Sequence, residues 1–145
     1  MENNFTVTLR TLSFDSEGSG QRDEVTLPAS VQMDGQTMRL CYVQEEEGAV
    51  AKTVISFESG TPCVVEMEQS GARACFMRFC AGQECRGEYR LSGLPTFPFT
   101  VKTRAVENAL TPQGGRMLLD YERTFGGART RMRLTLLLKQ KEASV

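Results

Sequence analysis

Residues 117–136 read MLLDYERTFGGARTRMRLTL, and the Gly126-Gly127 pair at their centre decides the fold. Two glycines between alternating apolar runs mark a tight two-residue hairpin, because the favoured turns need positive φ. That turn sets Phe125 against Ala128. It then pairs Tyr121 with Met132, Leu119 with Leu134, and Met117 with Leu136 on one face. The opposite face pairs Thr124 with Arg129, Glu122 with Arg131, and Asp120 with Arg133. A slip of one residue would put every side chain on the wrong face. In this register the apolar residues meet each other and both acids meet arginines.

Working outward, Asp34-Gly35 is a second hairpin signal. It pairs Val31 with Met38, Ala29 with Leu40 and Leu27 with Tyr42 on the apolar face, with Ser30/Arg39 and Thr26/Val43 outside. Pro28 falls on the outer side, where a missing N–H suits an edge, a bulge or a bend. Ser70-Gly71 is a third signal, pairing Val65 with Phe76 and Met67 with Ala74 inside, and Glu68 with Arg73 outside. Ala81-Gly82 then sets Phe76 across from Gly87 and Ala74 across from Tyr89.

Roughly ten strands follow one another this way, at 5–14, 24–33, 37–46, 50–58, 63–69, 72–80, 84–91, 97–106, 116–125 and 128–140. Only residues 101–110 could instead form a short helix, and the alternation Phe97, Phe99, Val101 favours a strand. The chain of 145 residues is one domain's length. Residues 15–23 read as a flexible loop and the end from 139 as a frayed tail. The expected fold is all-β: an antiparallel up-and-down barrel, closed by the first strand lying beside the last.

Composition narrows the function classes. The net charge of −1 implies no general attraction to nucleic acid or to an anionic membrane. No apolar run approaches a membrane helix, and the charged outer faces of the strands argue against a lipid-facing barrel. The first residues do not read as a secretory segment, and an odd count of five cysteines (41, 63, 75, 80 and 85) favours reduced thiols in a cytoplasm. In these registers Cys75 and Cys85 fall on opposite faces. With no histidine and no C-x-x-C, a metal site is not expected, nor is a cofactor.

The absence of histidine also removes the usual general base and the Ser/His and Cys/His pairs, so no enzyme is expected. Glu45, Glu46 and Glu47 form a charge run at a strand end, which reads as a solvated loop. The Arg129, Arg131, Arg133 stripe could bind phosphate. Its registered acids make cross-strand pairing the better reading. The inward polar groups carry more information. Tyr42, Tyr89 and Tyr121 all fall on the apolar face, with Gln44, Gln69 and Arg78, and with Arg123 near the tip of the last hairpin. Such groups near a barrel mouth can orient a small ligand.

The chain resembles the YwiB-like β-barrel proteins, a family without established function. The resemblance spans residues 27–139. It rests on Leu40-Cys41-Tyr42-Val43-Gln44-Glu45, the run from Gly48 to Thr53, Gln69-Ser70-Gly71, Arg78-Phe79, Tyr89, Val101-Lys102-Thr103, and the stretch from Gly115 to Tyr121. It implies a calycin-like barrel, related in shape to lipocalins and fatty-acid-binding proteins. Two positions depart from the family pattern: Gln44 stands where that pattern has Glu, and Gln69 where it has Arg. An ion pair across the lumen would thereby become an amide pair, hydrogen-bonded directly or through one water.

The leading expectation is a cytoplasmic, non-enzymatic barrel binding a small, partly apolar ligand at Tyr42, Gln44, Gln69, Arg78, Tyr89 and Tyr121. The alternative is an interaction or self-associating module. Its surface would be Val64, Met77 and Phe79, adjacent and outward in this register, which makes a homodimer plausible.

Overall fold

The computed structural model describes residues 4–15, 17–18, 20–46, 48–71, 73–91 and 93–141. Ten strands follow in order: β1 (Phe5–Phe14), β2 (Gly20–Asp34), β3 (Thr37–Glu46), β4 (Ala49–Glu58), β5 (Val64–Gly71), β6 (Arg73–Cys80), β7 (Glu84–Leu91), β8 (Phe97–Asn108), β9 (Gly115–Phe125) and β10 (Ala128–Gln140). Each pairs antiparallel with its neighbour in sequence, and β1 pairs with β10, so the sheet closes on itself as an up-and-down barrel. Residues 101–108 lie within β8, so the short helix does not form. β2 begins at Gly20, which shortens the expected loop. At the far end Lys139 pairs with Thr6 and Gln140 with Phe5, so the ladder holds the start of the expected tail. The rest of that tail, residues 142–145, lies outside the described residues.

The Gly126-Gly127 hairpin has the register read from its sequence, from Ala128↔Phe125 to Leu136↔Met117. Its charge pairs run diagonally as well as straight across. Arg131 Nη2 donates to Asp120 Oδ2 at 3.3 Å, Arg133 Nη2 donates to the same oxygen at 3.4 Å, and Arg129 reaches Glu122 at 4.0 Å. Strand twist brings diagonal neighbours within reach of long side chains. Asp120, expected on a solvated face, is 7% exposed beneath its two arginines.

The other turns depart from their expected registers. At Gly35 the pairing is Asp34↔Thr37, Val31↔Leu40 and Ala29↔Tyr42, two residues away from expectation. A shift of two preserves the faces. At Gly71 the shift is three: Val65 opposes Phe79, Met67 opposes Met77, and Gln69 opposes Cys75. This odd shift turns β6 over. The cause lies in the neighbouring strand. Gly71 has φ +107° and pairs with Ala51 of β4, where a Cβ would run into the Val50 carbonyl. The glycine serves that close approach, not a two-residue turn.

The β6–β7 pairing is off by one, with Cys75 opposite Tyr89 and Phe76 opposite Glu88. This second odd shift restores β7 to its expected faces. Gly82 again answers to a third strand, its N–H donating to the Thr103 carbonyl of β8. Within β8, Arg104 is an extra residue between Thr103↔Tyr121 and Ala105↔Asp120. The bulge changes the inward parity from Thr103 to Val106.

Packing divides the interior into two ends. At the end of the Gly35 turn, Val7, Met38, Leu40, Ile55, Met117 and Leu136 are fully or almost fully buried in one cluster. Leu110, in the β8–β9 connection, is buried against it. At the end of the Gly126-Gly127 turn the lumen is hollow. The wall changes there too. β2 pairs with β1 from Gly20 to Ala29, but with β3 only from Ala29 to Asp34. Pro28 sits at this handover, opposite Thr6.

Candidate functional site

The hollow end holds a cavity of about 690 Å³, within the range of small-molecule sites. Its position follows from strand alternation. Along β9, Leu119, Tyr121, Arg123 and Phe125 face inward in succession, so the lining turns from aliphatic to aromatic and charged toward the mouth. Along β6 the sequence Arg73, Cys75, Met77, Phe79 does the same in reverse.

Of the expected ligand residues, Tyr42, Gln44, Gln69, Tyr89 and Tyr121 line this cavity. Arg78 does not. The inversion of β6 puts it outside, exposed and opposite Glu66. The same inversion removes the expected interface. Met77 is 4% exposed and Phe79 is fully buried, while Val64 is half-buried. Arg73, expected outside against Glu68, lines the cavity, and Glu68 opposes Phe76. Cys75 is also in the lining, and it shares the inward parity of Tyr89, Gly87 and Cys85. Recognising an odd-length loop before β6 would have found Arg73 and Cys75 together. Of the glutamate run, Glu45 is exposed and Glu47 lies outside the described residues.

The deep wall is a polar chain on β3, β4 and β5. Thr53 is 1% exposed. It opposes both Tyr42 and Gln69. Gln69 Nε2 donates to Thr53 Oγ1 at 3.4 Å, and the Tyr42 hydroxyl is hydrogen-bonded to Thr53 as well. One buried hydroxyl thus fixes two lining side chains. Gln44 opposes Ala51, two strands from Gln69 and staggered from it. The Gln69 amide bonds to Thr53 and not to Gln44, so the expected direct glutamine pair does not form. Each amide faces the cavity separately.

Burial sets the electrostatics. It pushes the Tyr42 phenol up to about 12, against the opposing pull of the Thr53 hydrogen bond and with a small addition from Tyr121. Burial raises Tyr121 too, while the Arg123 charge works the other way. The Cys75 thiol is likewise raised by burial and lowered in part by Arg123 and Arg73. Both phenols and the thiol are therefore neutral donors at neutral pH.

Beneath the cavity the Phe79 ring packs on Tyr121 at 4.7 Å between centroids. At the mouth Phe125 stacks on Phe99 at 4.4 Å and meets Tyr89 edge-on at 6.2 Å. Phe99 occupies the space over Gly87, where any Cβ would collide with its ring. Leu91, Leu94 and Phe97 continue this aromatic wall as an exposed apolar lip next to Tyr89 and Phe125. Asp23 and Glu24 stand at the opposite rim, on the part of β2 that β3 does not pair. Among the described residues no group of three or more Cys, Asp or Glu could hold a metal ion.

The fold and site define a closed ten-stranded antiparallel barrel, packed at one end and hollow at the other. The chain belongs to the family described as Domain of unknown function (DUF1934), whose pattern it matches over residues 7–135. Its fold is similar to the crystal structure of the ywiB protein from Bacillus subtilis, with a TM-score of 0.83 over 95% of this chain and 92% of that one, at 18% identity. No curated protein matches the chain.

Proposed function

We propose that the protein is a non-enzymatic binding barrel that takes a small, partly apolar molecule into its hollow end. The observation that carries this reading is the cavity of about 690 Å³ above a closely packed floor. Folded interiors are normally filled to crystal-like density. Here one end of the barrel follows that rule and the other does not. The lining supports the same reading, because three tyrosines offer large apolar faces with polar tips. The apolar lip gives a bound molecule a surface to slide across.

A catalytic role finds less support. The chain has no histidine, the cavity acids are confined to the rim, and Glu24 is tied to Arg10 at 3.5 Å. The calycin-like comparison and a cytoplasmic setting belong to the same proposal. All five cysteines are free, as a reducing compartment would keep them.

The test is a fluorescence titration with N-phenylnaphthylamine, an uncharged aromatic probe that brightens in apolar surroundings. The wild-type protein should bind it saturably. Gln69→Trp, which narrows the cavity from its wall, should weaken that binding while the protein stays folded by circular dichroism. Absence of binding to the wild type, or unchanged binding by the narrowed variant, refutes the lumen as the site.

A further inference from the structure

Several charges on the outer wall are matched in pairs. Arg10 meets Glu24, Arg39 meets Asp34, Arg129 meets Glu122, and Arg131 and Arg133 share Asp120. Arg123 is different. It points inward and is half-buried, and no carboxylate among the described residues pairs with it. Its Nε is fully covered without a hydrogen-bond partner. Its Nη2 finds only the Met132 thioether at 3.7 Å, a weak acceptor. Its guanidinium carbon lies 5.8 Å from the centre of the Phe125 ring. Arg73, a second guanidinium, lines the same cavity.

A charge drawn away from water without a counter-charge is costly. That cost is offset when something with the opposite charge arrives. The surroundings fit a compact oxyanion. The guanidinium offers a planar fork suited to two oxygens at once. Tyr121 and Cys75, close enough to feel the Arg123 charge, stay protonated and can donate. The acids in the cavity rim do not pair with Arg123. Glu24 is engaged by Arg10, and Asp23 is exposed and makes no ion pair with Arg123. Beside the cation, Phe125 and Tyr89 lead to the lip of Leu91, Leu94 and Phe97.

We propose that the cavity is specific for organic anions: a carboxylate, sulfonate or phosphate head is clamped by Arg123, and an apolar or aromatic body lies along Phe125 and Tyr89 toward the lip. This rests on the lumen-binding reading and adds the ligand's charge to it.

The experiment compares two probes of the same aromatic body, anilinonaphthalene sulfonate, which is an anion, and N-phenylnaphthylamine, which is neutral. Both are titrated into the full chain, into Arg123→Met, and into Arg78→Met, which removes the same charge from the outer wall. The anion should bind the wild type more tightly than the neutral probe. Arg123→Met should weaken the anion by about tenfold or more, as expected for losing a charge-assisted clamp, and leave the neutral probe within about twofold. Arg78→Met should change neither. Arg123→Lys, which keeps the charge but loses the fork, should fall between wild type and Arg123→Met, and it carries the test if the methionine variant fails to fold. Equal binding of the two probes, or equal loss of both in Arg123→Met, overturns the anion inference while lumen binding stands. Failure of both probes to bind the wild type overturns both.

Discussion

Phe79→Ala distinguishes the two possible faces of β6 by a stability measurement. In the structure the Phe79 side chain is fully buried, opposite Val65 and packed on Tyr121 at 4.7 Å. Removing a buried ring at such a site loses its transfer free energy and leaves a void, together about 3–5 kcal/mol. The register expected from the Ser70-Gly71 signal alone puts the ring outside, where the same change costs roughly 0.5 kcal/mol or less. At about 3 °C per kcal/mol for a domain of this size, the buried case lowers Tm by roughly 9–15 °C. Thermal and urea unfolding of Phe79→Ala, with Phe76→Ala as the half-buried neighbour on the outer face, reads the difference directly. Phe79→Ala should be much the more damaging of the two. A loss below about 1 kcal/mol for Phe79→Ala, or the reverse order of the pair, refutes the inverted β6 and with it the placement of Arg73 and Cys75 in the cavity.

Two further outcomes are expected. Asp120→Asn leaves Arg131 and Arg133 around a neutral amide in a largely covered position, and should cost about 1–3 kcal/mol in chemical denaturation; a change below about 0.5 kcal/mol would mean that solvent already screens the cluster. Alkaline unfolding should follow the buried phenols. The folded chain holds Tyr42 neutral up to about 12 and raises Tyr121 as well, while the unfolded chain ionises both near pH 10. Their contribution is therefore complete below pH 10 and is lost as pH climbs from 10 toward 12. Phenolate absorbance should lag in the folded state and appear with unfolding; ionisation of Tyr42 near pH 10 in a still-folded protein contradicts the burial.

The barrel itself is legible in the sequence because one hairpin is unambiguous. Gly126 and Gly127 have no second duty: nothing lies within 4 Å of a Cβ added at either. They report the turn alone, and every pair from Phe125 outward is where the alternation puts it. Gly71 and Gly82 mislead because each answers to a third strand as well as to its own hairpin. A glycine in sequence shows that backbone freedom or space is needed, not which neighbour needs it. The two resulting shifts are odd and consecutive, so they cancel at β7. Tyr89 therefore falls inside in both registers, while Arg78, Met77 and Phe79 change sides. Tyr42 and Gln44 are legible despite wrong partners, because a shift of two does not move a side chain to the other face, and Gln69 is legible because the odd shift at Gly71 turns over β6 and not β5. The cavity is not legible. Its existence depends on summed side-chain volumes across ten strands, and no single stretch states them.

The handover at Pro28 has a kinetic meaning. Between Gly20 and Pro28 the wall is held by one ladder, to β1, and almost every side chain there is exposed. Detaching that segment breaks a single ladder and uncovers little buried side chain, so it belongs to the parts of a protein that open more often than the whole unfolds. Its amides should exchange with solvent well before those of β9 and β10, which are paired on both sides. Lifting of the first half of β2 would widen the mouth at Asp23 and Glu24, while the packed half of the barrel stays shut throughout.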